Sequence, residues 1–132
     1  MEIHIHPALK LKEIQDVFHK RFPFLMLKFY SEKHKIGEGS HIEDLLPTDK
    51  QLSEFSSSDF SWHITGLMTA GELENTFQEK TGIGVQVFHK SVEVWLQTIN
   101  TDSKTLNELN AKGKEMNEVP LEGEPEDYHE HE

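Results

Sequence analysis

The stretch LKEIQDVFHKRFPFLMLKF at residues 11–29 has a similar counterpart, AGELENTFQEKTGIGVQVF, at residues 70–88. The first begins at residue 11 and the second at residue 70, which is a shift of 59 residues. At this shift the apolar residues Leu11, Ile14, Phe18 and Phe29 fall on Ala70, Leu73, Phe77 and Phe88. The sequence therefore predicts an internal repeat, with copies at about residues 3–30 and 60–89.

The similarity extends to both sides of this stretch. Residues 3–7 fall on residues 62–66 at the same shift, without a gap. One extra residue near Gly82 improves the match in the later part of each copy. With that insertion Leu25 and Leu27 align with Val85 and Val87.

Each copy has the pattern of a strand, a helix and a second strand. In the first copy, apolar residues recur at helical spacing until Pro23, at Leu11, Ile14, Val17, Phe18 and Phe22. In the second copy, Thr69 and Glu72 have the spacing of a capping box, in which each side chain bonds a free amide at the helix start. Residues 24–30 and 85–89 are rich in aliphatic and aromatic residues and are predicted strands.

Two split strand-helix-strand units in one sheet are typical of the ferredoxin-like fold, an α+β class. We expect an antiparallel sheet of four to five strands, in the order 5-4-1-3-2, with two helices on one face. A fifth strand at 92–99 would form a hairpin with the fourth, and a last short helix would bury Leu106 and Leu109. Residues 1–117 would form a single domain containing a long loop at 31–58, and residues 118–132 an acidic disordered tail.

Composition limits the classes of function. The chain of 132 residues has no cysteine, which excludes disulfides and thiolate metal sites. Its net charge is −11, and eight acidic residues with no Lys or Arg lie between Glu115 and Glu132. A single arginine, Arg21, and the acidic balance argue against a nucleic-acid partner. No segment has the roughly 20 apolar residues of a membrane span, so we expect a soluble cytoplasmic protein.

Three histidines are candidate metal ligands. Side chains alternate between the faces of a strand, so His4 and His6 should share one face while Ile3 and Ile5 face the core. The repeat places His63 beside them on the adjacent strand. Such a set could bind zinc or another transition metal, with water in an open position. The alternative is that these histidines form a polar, solvated sheet surface, and no other cofactor is indicated.

The leading hypothesis is a binding or assembly module of unknown ligand. Four large side chains, Met26, Tyr30, Phe88 and Trp95, are expected on the open sheet face, which could bind a second copy or another protein. No nucleophile elbow or phosphate-binding loop is present. The sequence thus leaves enzymatic activity uncertain and favours a non-enzymatic role; a metal-binding enzyme or sensor is the alternative.

The second half also carries a family resemblance. The segments VQVFHKS at 85–91, VWLQT at 94–98, Thr101-Asp102 and TLNELN at 105–110 resemble a family of short uncharacterised bacterial proteins. The resemblance covers mainly residues 70–117. It implies a small recurring domain and no particular activity.

Overall fold

The predicted strand-helix-strand order is present in the structure, a computed structural model that describes residues 1–33, 39–91, 94–97 and 103–117. The described strands are β1 (Glu2–Ile5), β2 (Leu25–Tyr30), β3 (Phe60–His63), β4 (Gly84–Ser91) and β5 (Val94–Gln97). The described helices are α1 (Leu11–Arg21), α2 (Ala70–Thr81) and α3 (Leu106–Asn117), with 3-10 turns at Ile42–Asp44 and Leu52–Glu54. The fold is α+β, as predicted, and the expected acidic tail at 118–132 lies outside the described residues.

Two small antiparallel sheets replace the single sheet that the sequence predicted. One sheet pairs β1 with β3, as expected, and the other has the order β2-β4-β5. The order 5-4-1-3-2 is therefore wrong, because β4 pairs with β2 on one side and β5 on the other. The observed pairing places apolar residues of β2 and β4, such as Leu27 and Val87, side by side in one core, and such long-range packing decides the strand order.

The core contains apolar side chains from both sheets and all three described helices. Its centre is aromatic: the Trp62 and Phe77 ring centroids lie 4.7 Å apart, and those of Phe77 and Phe29 lie 5.5 Å apart. Aromatic pairs at these distances stabilise a core beyond the area they bury. The predicted inward residues Leu106 and Leu109 of α3 belong to this core.

Side chains from α1 and α2 bond backbone groups of β2 and β4. Gln15 Nε2 on α1 donates to the Leu27 carbonyl oxygen at 2.7 Å. On α2, Glu74 Oε2 accepts from the Val87 amide at 2.7 Å, and Gln78 Oε1 accepts from the Val85 amide at 3.2 Å. These bonds occupy backbone groups that the β2–β4 ladder leaves free, where unpaired groups would otherwise be costly.

The beginnings of α1 and α2 are held in the same way by later segments. Lys10 forms an isolated bridge with Gln51, and Thr69 forms one with Thr105. Two backbone hydrogen bonds flank each bridge. Beside the first, the Leu11 amide donates to the Lys50 carbonyl oxygen and the Leu52 amide donates to that of Leu9. Beside the second, the Ala70 amide donates to the Lys104 carbonyl oxygen and the Leu106 amide donates to that of Met68. The predicted capping box of α2 is confirmed, with Thr69 Oγ1 accepting from the Glu72 amide and Glu72 Oε1 accepting from the Thr69 amide.

Substitutions at Gly84 and Gly82 should have different effects on the unfolding free energy, because the two glycines have different surroundings. In Gly84→Ala the new methyl group would overlap the Glu32 carbonyl oxygen, which is backbone and cannot move aside easily. We expect a loss of at least about 1–3 kcal/mol in unfolding free energy, measured by urea denaturation. The control is Gly82→Asn, since Gly82 has φ of 82° with open space around it, and Asn tolerates that conformation. Equal stability of Gly84→Ala and the wild type would contradict the close approach.

Candidate functional site

The exposed face of the β1–β3 sheet carries two of the three predicted histidines, His4 and His63, whereas His6 follows the end of β1 and is half-buried. Ile3 and Ile5 are buried while His4 is exposed, so the predicted alternation along β1 is confirmed. On β3, Trp62 is buried and His63 is exposed in the same way. The face is therefore polar, as the sequence indicated.

Two histidines on this face each contact a different carboxylate. Nε2 of His63 lies 3.0 Å from Oε2 of Glu2, which is its partner in the β1–β3 register. Nε2 of His4 lies 2.7 Å from Oδ1 of Asp59. All four side chains are largely exposed, so each pair contributes little to stability.

The three predicted metal ligands share a region of the surface without forming one ligand set. His4 and His6 are close, with ring centroids 5.0 Å apart. The register places Ser61, rather than His63, directly opposite His4. Within the described ranges no group of three or more His, Cys, Asp or Glu side chains is arranged to hold a metal ion. A zinc or other transition-metal site at His4, His6 and His63 stays a prediction.

The predicted interface residues differ in exposure. Met26 lies opposite Phe88 in the β2–β4 register, and Met26 is partly exposed. Phe88 is only 7% exposed and Tyr30 only 2%, so the chain itself covers both side chains. Burial raises the pKa of Tyr30 to about 12. The expected open face is thus partly closed.

The segment at 39–46 accounts for part of this cover. Ser40 Oγ lies 3.5 Å from Oε1 of the fully buried Gln86, which neighbours Lys28 in the ladder. Leu45 forms a bridge with Tyr30 at the outer side of β2. The sequence predicted a loop here, and no feature of the sequence indicated that this loop would contact the sheet.

Trp95, the fourth predicted interface residue, is partly exposed. Its ring centroid lies 6.0 Å from the Lys90 ammonium and 5.8 Å from the His19 ring, which meets it edge-on. The predicted roles of Met26 and Trp95 in an interface stay predictions.

Two exposed apolar residues were not singled out from the sequence. Ile42 is 82% exposed and Leu45 is 41% exposed, and they are three residues apart on the 3-10 turn Ile42–Asp44 and its C-cap. Side chains three apart on a 3-10 turn lie on the same side. Only the Ile-x-x-Leu spacing could have indicated them, and in a predicted loop that spacing is not specific.

One titratable side chain is held in an unusual environment. Nδ1 of His89, on β4, is buried without a hydrogen-bond partner among the described residues. Burial lowers the pKa of His89 below its ordinary 6.5, and the positive charge of Lys112 on α3 lowers it further. His89 is therefore held as the neutral imidazole next to α3.

We expect His89 to make the protein less stable in mild acid. Because its pKa is lowered in the folded state, the unfolded chain binds this proton first as pH falls through 6.5. The unfolding free energy should therefore fall between pH 7.5 and 5.5, and it should fall less in His89→Gln. Urea denaturation at the two pH values measures this, with His41→Gln, an exposed loop position, as the control. An identical fall in His89→Gln and the wild type would contradict it.

Comparisons with known proteins do not assign this chain to a family. No family model, curated protein or solved structure matches the chain, so the resemblance over residues 70–117 stays a prediction. Among the helices of the described ranges, none has the length and apolar character needed to cross a membrane.

Proposed function

We propose that this chain is a binding or assembly module that associates with a second copy of itself. The observation that carries the proposal is the pair of exposed apolar side chains, Ile42 and Leu45, on one side of a single turn. Exposed apolar surface at neighbouring positions favours burial against a partner, at roughly 25 cal/mol per Å² removed from water.

The turn that presents this pair is fixed to the sheet. The Ser31 amide donates to the Asp44 carbonyl oxygen at 2.8 Å, and the Leu46 amide donates to the Phe29 carbonyl oxygen at 2.8 Å. A surface already held in place loses less conformational entropy on binding than a free loop does. The Ile42–Leu45 pair is therefore a preorganised contact.

A second copy is the simplest partner for this surface. Closed dimers with twofold symmetry use the same patch on both chains, so a small apolar patch can be covered by its own equivalent. The partly exposed Met26 and Trp95 are the predicted residues that could extend the contact. The other partner that the sequence left open is an unrelated protein at the same patch.

The proposal includes a duplicated fold, built from two split strand-helix-strand units. In the β1–β3 ladder Ile3 pairs with Trp62, which is its own equivalent at a shift of 59 residues. In the β2–β4 ladder Leu27 pairs with Val87, its equivalent once the extra residue near Gly82 is allowed. Self-paired equivalents are expected where a twofold axis relates two units. The matched bridges at the starts of α1 and α2 support the same relation.

The test removes the apolar pair and measures the molar mass. Both proteins are refolded from dilute solution and only then concentrated to tens of micromolar. In the double variant Ile42→Ser and Leu45→Ser we then expect a monomer, because the apolar contact is lost, whereas the wild type should be a dimer. Size-exclusion chromatography with light scattering gives the mass directly.

Leu67 supplies a matched control, since it is 80% exposed and lies elsewhere, on the turn before α2. Leu67→Ser should remain a dimer. A monomeric wild type, or a dimer that survives the double substitution, would refute self-association through this patch.

A further inference from the structure

The two ladders that involve β1 and β2 connect different halves of the chain. Within the described part of residues 1–55, no strand pairs with another strand of that half. Instead β1 pairs with β3 and β2 pairs with β4, and both partners belong to residues 60–117. Each first-half strand therefore depends on the second half for its strand ladder, although residues 45 and 46 of the first half also bond the outer side of β2.

The core is shared in the same way. The Phe29 ring of the first half lies 5.5 Å from the Phe77 ring of the second, and Ile3 and Ile5 pack in one cluster with Trp62. By contrast, contacts that stay inside the first half, such as Gln15 with Leu27 and Lys10 with Gln51, do not need the second half. The two halves are thus interlocked units with complementary surfaces.

A single short connection joins these units, at residues 56–59. It consists of Ser56, Ser57, Ser58 and Asp59, without regular secondary structure. Within it Ser56 Oγ donates to Ser58 Oγ at 2.9 Å, and Ser58 Oγ donates to the Lys80 carbonyl oxygen of the second half. Asp59 makes the exposed contact with His4.

We infer that two copies of this chain exchange halves. Residues 1–55 of one copy pair with residues 60–117 of the other, and the reverse pairing completes a closed dimer. Both ladders and the shared core form twice, with unchanged contacts, and only the connection takes a different course. Exchange of identical elements is a low-cost route to a dimer, because no new interface must be created.

Exchange has a kinetic consequence. Separating the halves breaks both ladders and opens the core, so a folded monomer and an exchanged dimer interconvert slowly. Their proportions are set during folding, when a first half meets a second half of its own chain or of another. Pairing with another chain is bimolecular and increases with protein concentration. The inference does not depend on the Ile42–Leu45 pair.

Engineered cysteines can distinguish the two forms, since the natural chain has no cysteine. His4 and Ser61 are partners across the β1–β3 ladder, both exposed. The Ile64 amide donates to the Met1 carbonyl oxygen, and the Met1 ammonium donates to the Ile64 carbonyl oxygen, so residues 1 and 64 form a hydrogen-bonded pair. His4 and Ser61 are therefore a non-hydrogen-bonded pair of that ladder, where Cα atoms are about 4.5 Å apart and a disulfide fits. His4→Cys with Ser61→Cys therefore forms its disulfide within one chain in the monomer and between two chains in the exchanged dimer.

Lys10 and Gln51 give the matched control. They are bridge partners with exposed side chains, and both belong to the first half. Lys10→Cys with Gln51→Cys therefore forms its disulfide within one chain in either form. Both variants are refolded from denaturant under reducing conditions, oxidised after folding, and run on a denaturing gel without reductant.

We expect covalent dimers for the His4/Ser61 pair, with a dimer-to-monomer ratio that rises roughly tenfold for each tenfold increase in refolding concentration. The Lys10/Gln51 control should remain monomeric on the gel. The ratio should be unchanged when Ile42→Ser and Leu45→Ser are added, which separates exchange from docking through the exposed pair.

Two outcomes overturn the inference. One is monomer alone for the His4/Ser61 pair at every refolding concentration, and the other is equal dimer in the control, which would indicate random disulfides between chains.

If the first pair impairs folding, Glu2→Cys with His63→Cys tests the other exposed non-hydrogen-bonded pair of the same ladder. Independently, dimer of the Ile42→Ser and Leu45→Ser variant isolated after concentrated refolding should persist for hours after dilution; rapid dissociation would contradict exchange.

Discussion

The ladder between β2 and β4 is the interaction on which the rest of the structure depends. It brings Leu27 beside Val87, and the alternating apolar residues of both strands then face one core. Helices α1 and α2 dock where Gln15 and Glu74 can bond backbone groups beside that ladder. Oε2 of the buried Glu74 accepts hydrogen bonds from the Val87 amide and from Gln86 Nε2, and these bonds offset part of the cost of burying the carboxyl group. The β1–β3 sheet and the aromatic centre complete the same core.

This arrangement bears on function because it decides which surfaces remain available. The chain itself covers Tyr30 and Phe88 on one face of the β2–β4 ladder and leaves Met26 partly exposed there, whereas Ile42 and Leu45 on the neighbouring turn are exposed. The histidine face stays open, but its imidazoles His4 and His63 already contact carboxylates. A role in association therefore has more support than a role in metal chemistry, and the interlocked halves offer a second route to the same assembly.

The elements could be predicted from sequence because local signals agree with the final fold. The capping box of Thr69 and Glu72 marks the start of a helix regardless of what that helix packs against. The alternation of Ile3, His4 and Ile5 likewise requires only that one face of the strand be buried. Strand order is different, since it depends on which long-range pairs share a core. The predicted order followed analogy with a known fold, and nothing local distinguishes β1 from β2 as the neighbour of β4. The cover over Tyr30 was missed for the same reason, because a loop carries no periodic signal.

The measurement that tests this account most directly is nuclear Overhauser spectroscopy of the α protons in D₂O. Antiparallel strands bring α protons together at non-hydrogen-bonded pairs. The account predicts cross-peaks between Leu27 and Val87 and between Glu2 and His63. Cross-peaks from Val87 to residues of β1, with none to Leu27, would show the single-sheet order instead and would contradict the β2–β4 ladder.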